Sequence, residues 1–461
     1  MRVACRRCSN RPDANVGSAF VASSGLVWRV GVWYTPGMNL RFLHAADLHL
    51  DTPFCGLSAA DQSVAQALRD ASLAAWDNLV NLAIARRVDL VLLAGDIYDG
   101  EDRGVRAQLR LRRGLEKLST AGISTYIVHG NHDPLGGYSA IRDWPTSVHI
   151  FGSDQVQRLP VQRDGQQVAT VYGISYGQPQ MRDNLAQRFS REGSGGLHLG
   201  LLHCSVGTSA EHDTYSPCEL ADLRRAGLTY WALGHVHQRQ VLCQSGFWAV
   251  YSGNTQGRSP KPTECGPKGV TIVDADCTGA ILSASFEPVD AARFVQTELD
   301  IADMSDLPAL RGALEERASQ LRSEHAGRSL LLRAVLTGTG PVNADLRRQG
   351  TIPDLLAELR RDAEDLRPLL YWESIQDSTR AELELARIEG RGDFLAEVLK
   401  QAKTLGADNA ALQAFIESKL AEIRKLPARW TADLPAPAQA DLMDRATRLA
   451  LEMLQEAAEE S

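Results

Sequence analysis

Gly130-Asn131-His132-Asp133 closes the apolar run Ile123-Ser124-Thr125-Tyr126-Ile127-Val128. That run reads as a buried parallel strand. An amide, an imidazole and a carboxylate crowded into the turn after a core strand are not packing residues. In an open α/β sheet, ligands bind at the carboxyl ends of the strands. Three further strand ends carry the same cargo: Asp47-Leu48-His49, Gly95-Asp96 and Gly234-His235-Val236-His237. His203 closes another apolar run on its own.

Working outward, residues 40–46 and 88–94 are short apolar runs that read as strands. Between them, residues 62–86 space Val64, Leu68, Leu73, Trp76, Leu79 and Leu82 as a helix does. A second helix is expected over roughly residues 103–120. This β-α-β-α-β order predicts parallel strands with helices over their faces. Past residue 150 the strands shorten and crowd: 168–174, 197–203, 230–233, 247–251, 270–273 and 281–286, with helical spacing only near 217–226. These predict a second, partly antiparallel sheet packed on the first, so the fold class is an α/β two-sheet sandwich with flanking helices over residues 38–290. Residues 291–377 repeat strand and helix as a small α+β module of their own. From 378 to 461 the chain reads as helices, and the last carries an apolar stripe through Leu442, Leu449 and Met453.

Residues 1–37 differ in composition, with four arginines before a Gly/Ser/Val stretch and Pro36-Gly37. They read as a disordered extension or a mis-assigned start, with Met38 standing directly before the first strand. Cys5 and Cys8 form a C-x-x-C with no second pair at zinc-ribbon spacing, which argues against a structural zinc site. The other cysteines read as reduced thiols of a cytoplasmic protein. No apolar run reaches the ~18–20 residues of a membrane helix. The 461-residue chain is 44% hydrophobic and 23% charged, with a formal net charge of −8. That excludes a generally basic nucleic-acid binder and leaves room for a local basic groove.

Asp47, His49, Asp96, Asn131, His203, His235 and His237 supply carboxylate, imidazole and amide donors without thiolate, which suits manganese, iron or zinc. Seven donors exceed the needs of one ion and suit two, with one carboxylate shared. Two ions can bind both free oxygens of a phosphoester and lower the pKa of a water between them. His132, beside Asn131, is placed to protonate the leaving oxygen. A lone Asp-x-His or Gly-Asp would be a structural turn; all five motifs in this order, each at a strand end, are not explained that way.

The set Asp47-Leu48-His49, Gly95-Asp96, Gly130-Asn131-His132-Asp133, His203 and Gly234-His235-Val236-His237 resembles the calcineurin-like metallophosphoesterases. The resemblance implies that Asp47, His49, Asp96 and His237 hold one metal, and that Asp96, Asn131, His203 and His235 hold the other. It makes Asp96 the bridge and His132 the catalytic histidine. The flanking sequences, His44 to Asp51 and Leu93 to Asp99, are similar to the DNA-repair exonuclease branch, nuclease subunits of the SbcD and YhaO type. By that resemblance Ser252 to Arg258 closes the phosphoesterase sheet, the small module caps DNA, and the helical tail binds an SMC-like coiled-coil ATPase. Manganese is the metal expected, and pairing of two copies stays open. Several nucleases of the branch carry histidine where this chain has Asp99. A carboxylate there repels a phosphodiester unless it is paired, whereas YhaO-like members resemble this chain in having it.

Other residues invite a role. His212 and Arg258 are candidate substrate contacts with Asp99, as are Lys261 and Lys268. The run Arg103, Arg106, Arg110, Arg112 and Arg113 reads as a solvated helix face or a DNA-backbone contact. His44 reads as a hydrogen-bonded core residue and His129 as a residue that orients Asn131. The leading expectation is a metal-dependent DNA exonuclease. A phosphatase or phosphodiesterase for a small molecule is the alternative, and a binding module with a vestigial site is the third reading.

Overall fold

The computed structural model describes residues 39–52, 62–100, 103–193, 195–207, 215–276, 278–380, 385–422 and 436–459. The N-terminal extension, with Cys5 and Cys8, and His212 lie outside them.

Strand β1 (Leu40–Ala45) is buried at all but one position, and β2 (Leu90–Ala94) at every position. They pair in parallel with each other, and β2 pairs in parallel with β3 (Ser124–Val128), which pairs with the short β4 (Val148–Ile150). The crossovers are helices α1 (Gln62–Arg86) and α2 (Val105–Thr120). The side-chain period of two divides these strands between layers. Leu43, Val91, Leu93 and Ile127 face Trp76 and Leu79 of α1 and Leu111 and Leu115 of α2. Phe42, Leu90, Leu92 and Tyr126 face the other way, against the second sheet. Each such side chain, fully buried, contributes ~1.5–3 kcal/mol of transfer free energy.

The second sheet contains β5 (Gln157–Arg163), β6 (Gln166–Gly173), β7 (Leu197–His203), β8 (Tyr230–Gly234), β9 (Gln240–Cys243) and β10 (Trp248–Tyr251), in the order β5-β6-β7-β8-β10-β9. Strands β6, β7, β8 and β10 are parallel, with antiparallel strands at both edges. Helix α3 (Leu220–Arg225) lies on its outer face, where Leu223 packs with Trp231 and Leu233.

The strands expected over 270–286 belong elsewhere than the sequence suggests. β11 (Gly269–Ala275) and β12 (Ile281–Pro288) extend the first sheet, with β11 antiparallel to β1. The reason is that β1 would otherwise present an unpaired backbone edge. β11 fits there on both faces: Val270 and Ile272 join the helix-side core, and Val273 and Ala275 the core between the sheets.

The small module has three parallel strands, β13 (Ala292–Asp300), β14 (Ser329–Thr337) and β15 (Leu370–Asp377). Helices α4 (Leu307–Glu324), the short α5 (Asn343–Leu346) and α6 (Thr351–Ala363) lie in its connections, and their apolar residues pack over one face. The other face puts Phe294, Leu331 and Tyr371 against Val64, Leu68 and Ala71 at the start of α1. The tail holds α7 (Leu385–Glu389), α8 (Phe394–Ala407), α9 (Asn409–Glu422) and α10 (Ala436–Glu459). Leu451 of α10 packs on Leu395 and Leu399 of α8, whereas Leu442, Leu449 and Met453 are exposed. Among the described residues, no helix is long and apolar enough to cross a membrane.

Candidate metal centre

Parallel pairing brings the carboxyl ends of β1, β2, β3, β7 and β8 to one side of the sandwich. The β1 and β2 ladders continue past the strands: Asp47 N–H donates to Gly95 O at 3.1 Å and His49 N–H to Asp96 O at 3.1 Å. The loops are tightly bent there. Asp47, His49, Asp96 and His235 have φ of 52°, 43°, 50° and 103°, left-handed values that non-glycine residues rarely adopt. Such conformations cost on the order of 1–3 kcal/mol each and persist where the surroundings impose them. Asp133 supplies part of that constraint. Its Oδ1 accepts from Gly130 N at 2.9 Å, and its Oδ2 from Ile97 N at 3.0 Å and His129 Nδ1 at 2.9 Å. Asp133 thus ties the turn after β3 to the loop after β2. His129 bonds to this carboxylate, so it holds Asp133 and not Asn131 as the sequence suggested.

The side chains converge. Asp47, His49 and His237 have ligand atoms within 4.8 Å of one another, and so do Asp47, Asp96 and His203. Asp96 Oδ2 lies 3.3 Å from His203 Nε2 and 3.9 Å from His49 Nε2, so one carboxylate faces both groups. Asn131 Oδ1 lies 3.0 Å from His203 Nε2. His235 stands beside this set. Its backbone N–H reaches both Asp47 oxygens, at 3.0 and 3.1 Å, and its ring centroid is 5.4 Å from that of His203.

The tautomers show whether these residues fit a metal. His203 Nδ1–H donates to Ala94 O at 2.9 Å, His49 Nδ1 faces Asp99 Oδ1 at 3.1 Å, and His237 Nδ1 faces Glu264 Oε1 at 2.6 Å. Each of these partners is an acceptor, so each places the ring proton on Nδ1 and leaves a lone pair on Nε2. Those lone pairs then face other acceptors. His49 Nε2 and His237 Nε2 are 3.1 Å apart, and His203 Nε2 faces the Asn131 oxygen. Two ligands bound at ~2.1 Å to one ion at a right angle lie ~3 Å apart. The residues present fit divalent cations.

Without metal, a proton takes that place at His203. Burial pushes this imidazole down, but Asp96 and Asp47 outweigh it and raise its pKa to about 9. Burial raises Asp47 to about 6 against the pull of His203 and His237. Asp96 is buried too, yet His203 holds it well below the usual carboxylate range. Burial, with the charge of Arg258, lowers His49 to about 4.

His132 lies at the mouth of the cluster, with 43% of its side chain exposed. Its backbone N–H donates to Asp96 Oδ1 at 3.0 Å, and its Nδ1 faces Asp99 Oδ1 at 2.9 Å. The Asp99 bond raises the imidazole pKa, against burial. Arg258 Nη2 donates to Asp99 Oδ2 at 2.7 Å. Asp99 therefore faces two imidazoles and a guanidinium. Burial opposes its ionisation, but these bonds hold its carboxyl far below the normal range. The repulsion that an unpaired carboxylate would exert on a phosphodiester is offset in place.

Several remaining expectations change. His44 is a core residue, as its position suggested: it bonds Tyr230 Oη at 3.0 Å and Leu233 O at 3.1 Å, and burial lowers it to about 3. Lys268 is no exposed substrate contact, since it is buried and donates to His237 O at 3.1 Å and Thr263 O at 2.7 Å. The arginine run is largely committed to this chain. Arg103 is buried and donates to Asp133 O at 2.7 Å, Arg106 pairs with Asp51 and Asp70, Arg110 with Asp77 and Arg112 with Glu116. Sequence reasoning missed Glu264, which sits in a Gly/Pro-rich loop and carries no motif.

Comparison with known proteins agrees with this geometry. The calcineurin-like phosphoesterase family matches residues 40–239, and the family "Metallophosphoesterase YhaO, middle domain" matches residues 294–380. The chain is 34% identical over 351 residues to the uncharacterized metallophosphoesterase YhaO of Bacillus subtilis, covering 76% of this chain and 85% of that one. It is 26% identical over 205 residues to the DNA double-strand break repair protein Mre11 of Sulfurisphaera tokodaii, 44% of this chain and 50% of that protein. It is 26% identical over 270 residues to a subunit of the nuclease SbcCD of Bacillus subtilis, 51% and 66% respectively. With its motif residues gathered at one end of a two-sheet sandwich, the chain belongs to the calcineurin-like metallophosphoesterase family.

Proposed function

We propose that this protein is a two-metal phosphodiesterase acting on DNA, a nuclease subunit that works in the cytoplasm with an SMC-like coiled-coil ATPase in DNA repair. Asp47, His49, Asp96 and His237 would hold one cation, and Asp96, Asn131, His203 and His235 the other. Two divalent ions, manganese foremost, would supply Lewis acidity towards the phosphoryl oxygens and a water acidic enough to attack. The chain's own part is orientation and proton transfer. His132, with Nδ1 held by Asp99, would donate a proton from Nε2 to the leaving oxygen. Arg258, held by Asp99, adds positive charge beside the path of a phosphate.

The observation that carries the reading is the paired state of Asp99. A free carboxylate at this mouth would turn away a polyanion, and here it is matched by His49, His132 and Arg258. The small module beside α1 and the exposed apolar residues of α10 support the DNA and ATPase parts of the proposal. End-labelled duplex and single-stranded DNA, incubated with protein and manganese, should release nucleotides. His132→Ala should slow that release by ~10²–10⁴-fold. Rapid turnover of small phosphomonoesters or diesters with intact DNA would favour the small-molecule alternative.

A further inference from the structure

A buried carboxylate outside every motif joins the two halves of this site. Glu264 ends a short 3-10 turn (Pro262–Glu264) and is 7% exposed. Its Oε1 lies 2.6 Å from His237 Nδ1. Its Oε2 accepts from Asn254 Nδ2 at 2.7 Å and from the backbone N–H of Arg258 at 3.1 Å. Lys268 Nζ stands 3.9 Å away and is itself committed to the His237 and Thr263 carbonyls. Both carboxylate oxygens are therefore occupied by donors.

We infer that Glu264 is a positioning residue that makes His237 a metal ligand and anchors the Arg258 loop against the same site. This rests on the two-metal reading above. A carboxylate on Nδ1 fixes both the ring plane and the tautomer, so the Nε2 lone pair is aimed at the ion. Through the Arg258 backbone the same carboxylate holds the residue whose guanidinium reaches Asp99. Asp99 in turn faces Nδ1 of His49. His49 and His237, whose Nε2 atoms meet at 3.1 Å, are thus oriented by two carboxylates that Arg258 ties together. Glu264→Gln would break this logic while keeping the shape. Two N–H donors already point at the Oε2 position, so the amide oxygen settles there and the amide NH2 turns to His237. The imidazole must then accept at Nδ1 and carry its proton on Nε2, where it blocks the metal.

Manganese titration of the full chain, followed by calorimetry and electron paramagnetic resonance, tests this without any substrate. The wild type should take up two ions and show the spectrum of a coupled pair. In Glu264→Gln one ion should bind about 10–100-fold more weakly, leaving the spectrum of an isolated ion at limiting manganese. A second measurement needs no variant: 15N chemical shifts of the metal-free wild type should show His237 as the Nδ1–H tautomer. Two ions bound to Glu264→Gln with wild-type affinity, or an Nε2–H tautomer in the metal-free wild type, would overturn the role of Glu264. A wild type that binds no manganese but keeps the Nδ1–H tautomer would sink the two-metal reading instead and leave the orientation of His237 standing.

Discussion

Asp99 Oδ1 lies 2.9 Å from Nδ1 of His132 and 3.1 Å from Nδ1 of His49, so one carboxylate oxygen orients the proposed proton donor and a proposed metal ligand together. This pairing sets the expected pH response. Asp99 raises the His132 pKa. A raised histidine keeps its acid form to higher pH and loses it as pH climbs through the shifted value. Asp99→Asn removes the charge and returns His132 towards its unperturbed ~6.5. The alkaline limb of the kcat–pH profile should therefore move to lower pH in Asp99→Asn. An unmoved limb with unchanged kcat would show that His132 does not act as the acid.

His132→Ala separates chemistry from metal binding. The imidazole is held by Asp99 through Nδ1, 43% of its side chain is exposed, and the proposed ligand set does not include it. Its loss should lower kcat by ~10²–10⁴-fold, the usual range for a missing general acid. Manganese content, measured by mass spectrometry of the purified protein, should match wild type. A variant that arrives depleted in metal would reassign His132 as a ligand.

Metal uptake should release protons. In the metal-free chain His203 has its pKa raised to about 9, so near pH 7.5 its Nε2 carries a proton that an ion must displace. Apparent affinity should thus rise with pH until about pH 9 and flatten above it. Calorimetry at pH 7.5 in buffers of different ionisation enthalpy would read the proton number directly. Binding without proton release would mean that His203 lies outside the coordination sphere.

Much of this site was legible because strand periodicity and strand-end chemistry are local properties. The runs ending at Asp47, Asp96 and Asn131 announce a parallel sheet, and the polar residues that follow announce its ligand edge. What escaped depends on long-range placement. β11 reads as one more short strand, and only the free edge of β1 decides which sheet it joins. Lys268 reads as a loop cation until the fold buries it beneath His237. The pairing of Asp99 with Arg258 spans 159 positions, and that of Glu264 with His237 spans 27, with no pattern in either segment to connect them. The positive φ of Asp47, His49, Asp96 and His235 is likewise imposed by the assembled loops.

Gly130 tests how closely the turn must approach the cluster. A Cβ placed there would run into Asp96 Oδ1 and the ring of His203. Both side chains are buried and hydrogen-bonded, so neither can step aside cheaply. Gly130→Ala should leave a folded protein, destabilised by ~1–3 kcal/mol in denaturant titration, with reduced manganese occupancy. Wild-type occupancy and activity would show that the turn can retreat from Asp96 without cost to the site.

The tail makes a separate claim, because α10 divides its apolar residues between two faces. Leu451 packs against α8 in the core of the helical region, whereas Leu449 and Met453 are 56% and 62% exposed. Leu449 and Met453 lie one helical turn apart, and exposed apolar side chains that join into a contiguous patch can form an interaction surface. The double variant Leu449→Glu and Met453→Glu should keep the melting temperature within a few degrees and leave metal-dependent hydrolysis intact. In pull-down with a coiled-coil ATPase from the same cell it should lose binding. Leu451→Glu should instead lower the melting temperature, since it places a charge where no partner or water can meet it. Should the double variant melt like Leu451→Glu, the stripe belongs to the core and the proposed docking face falls.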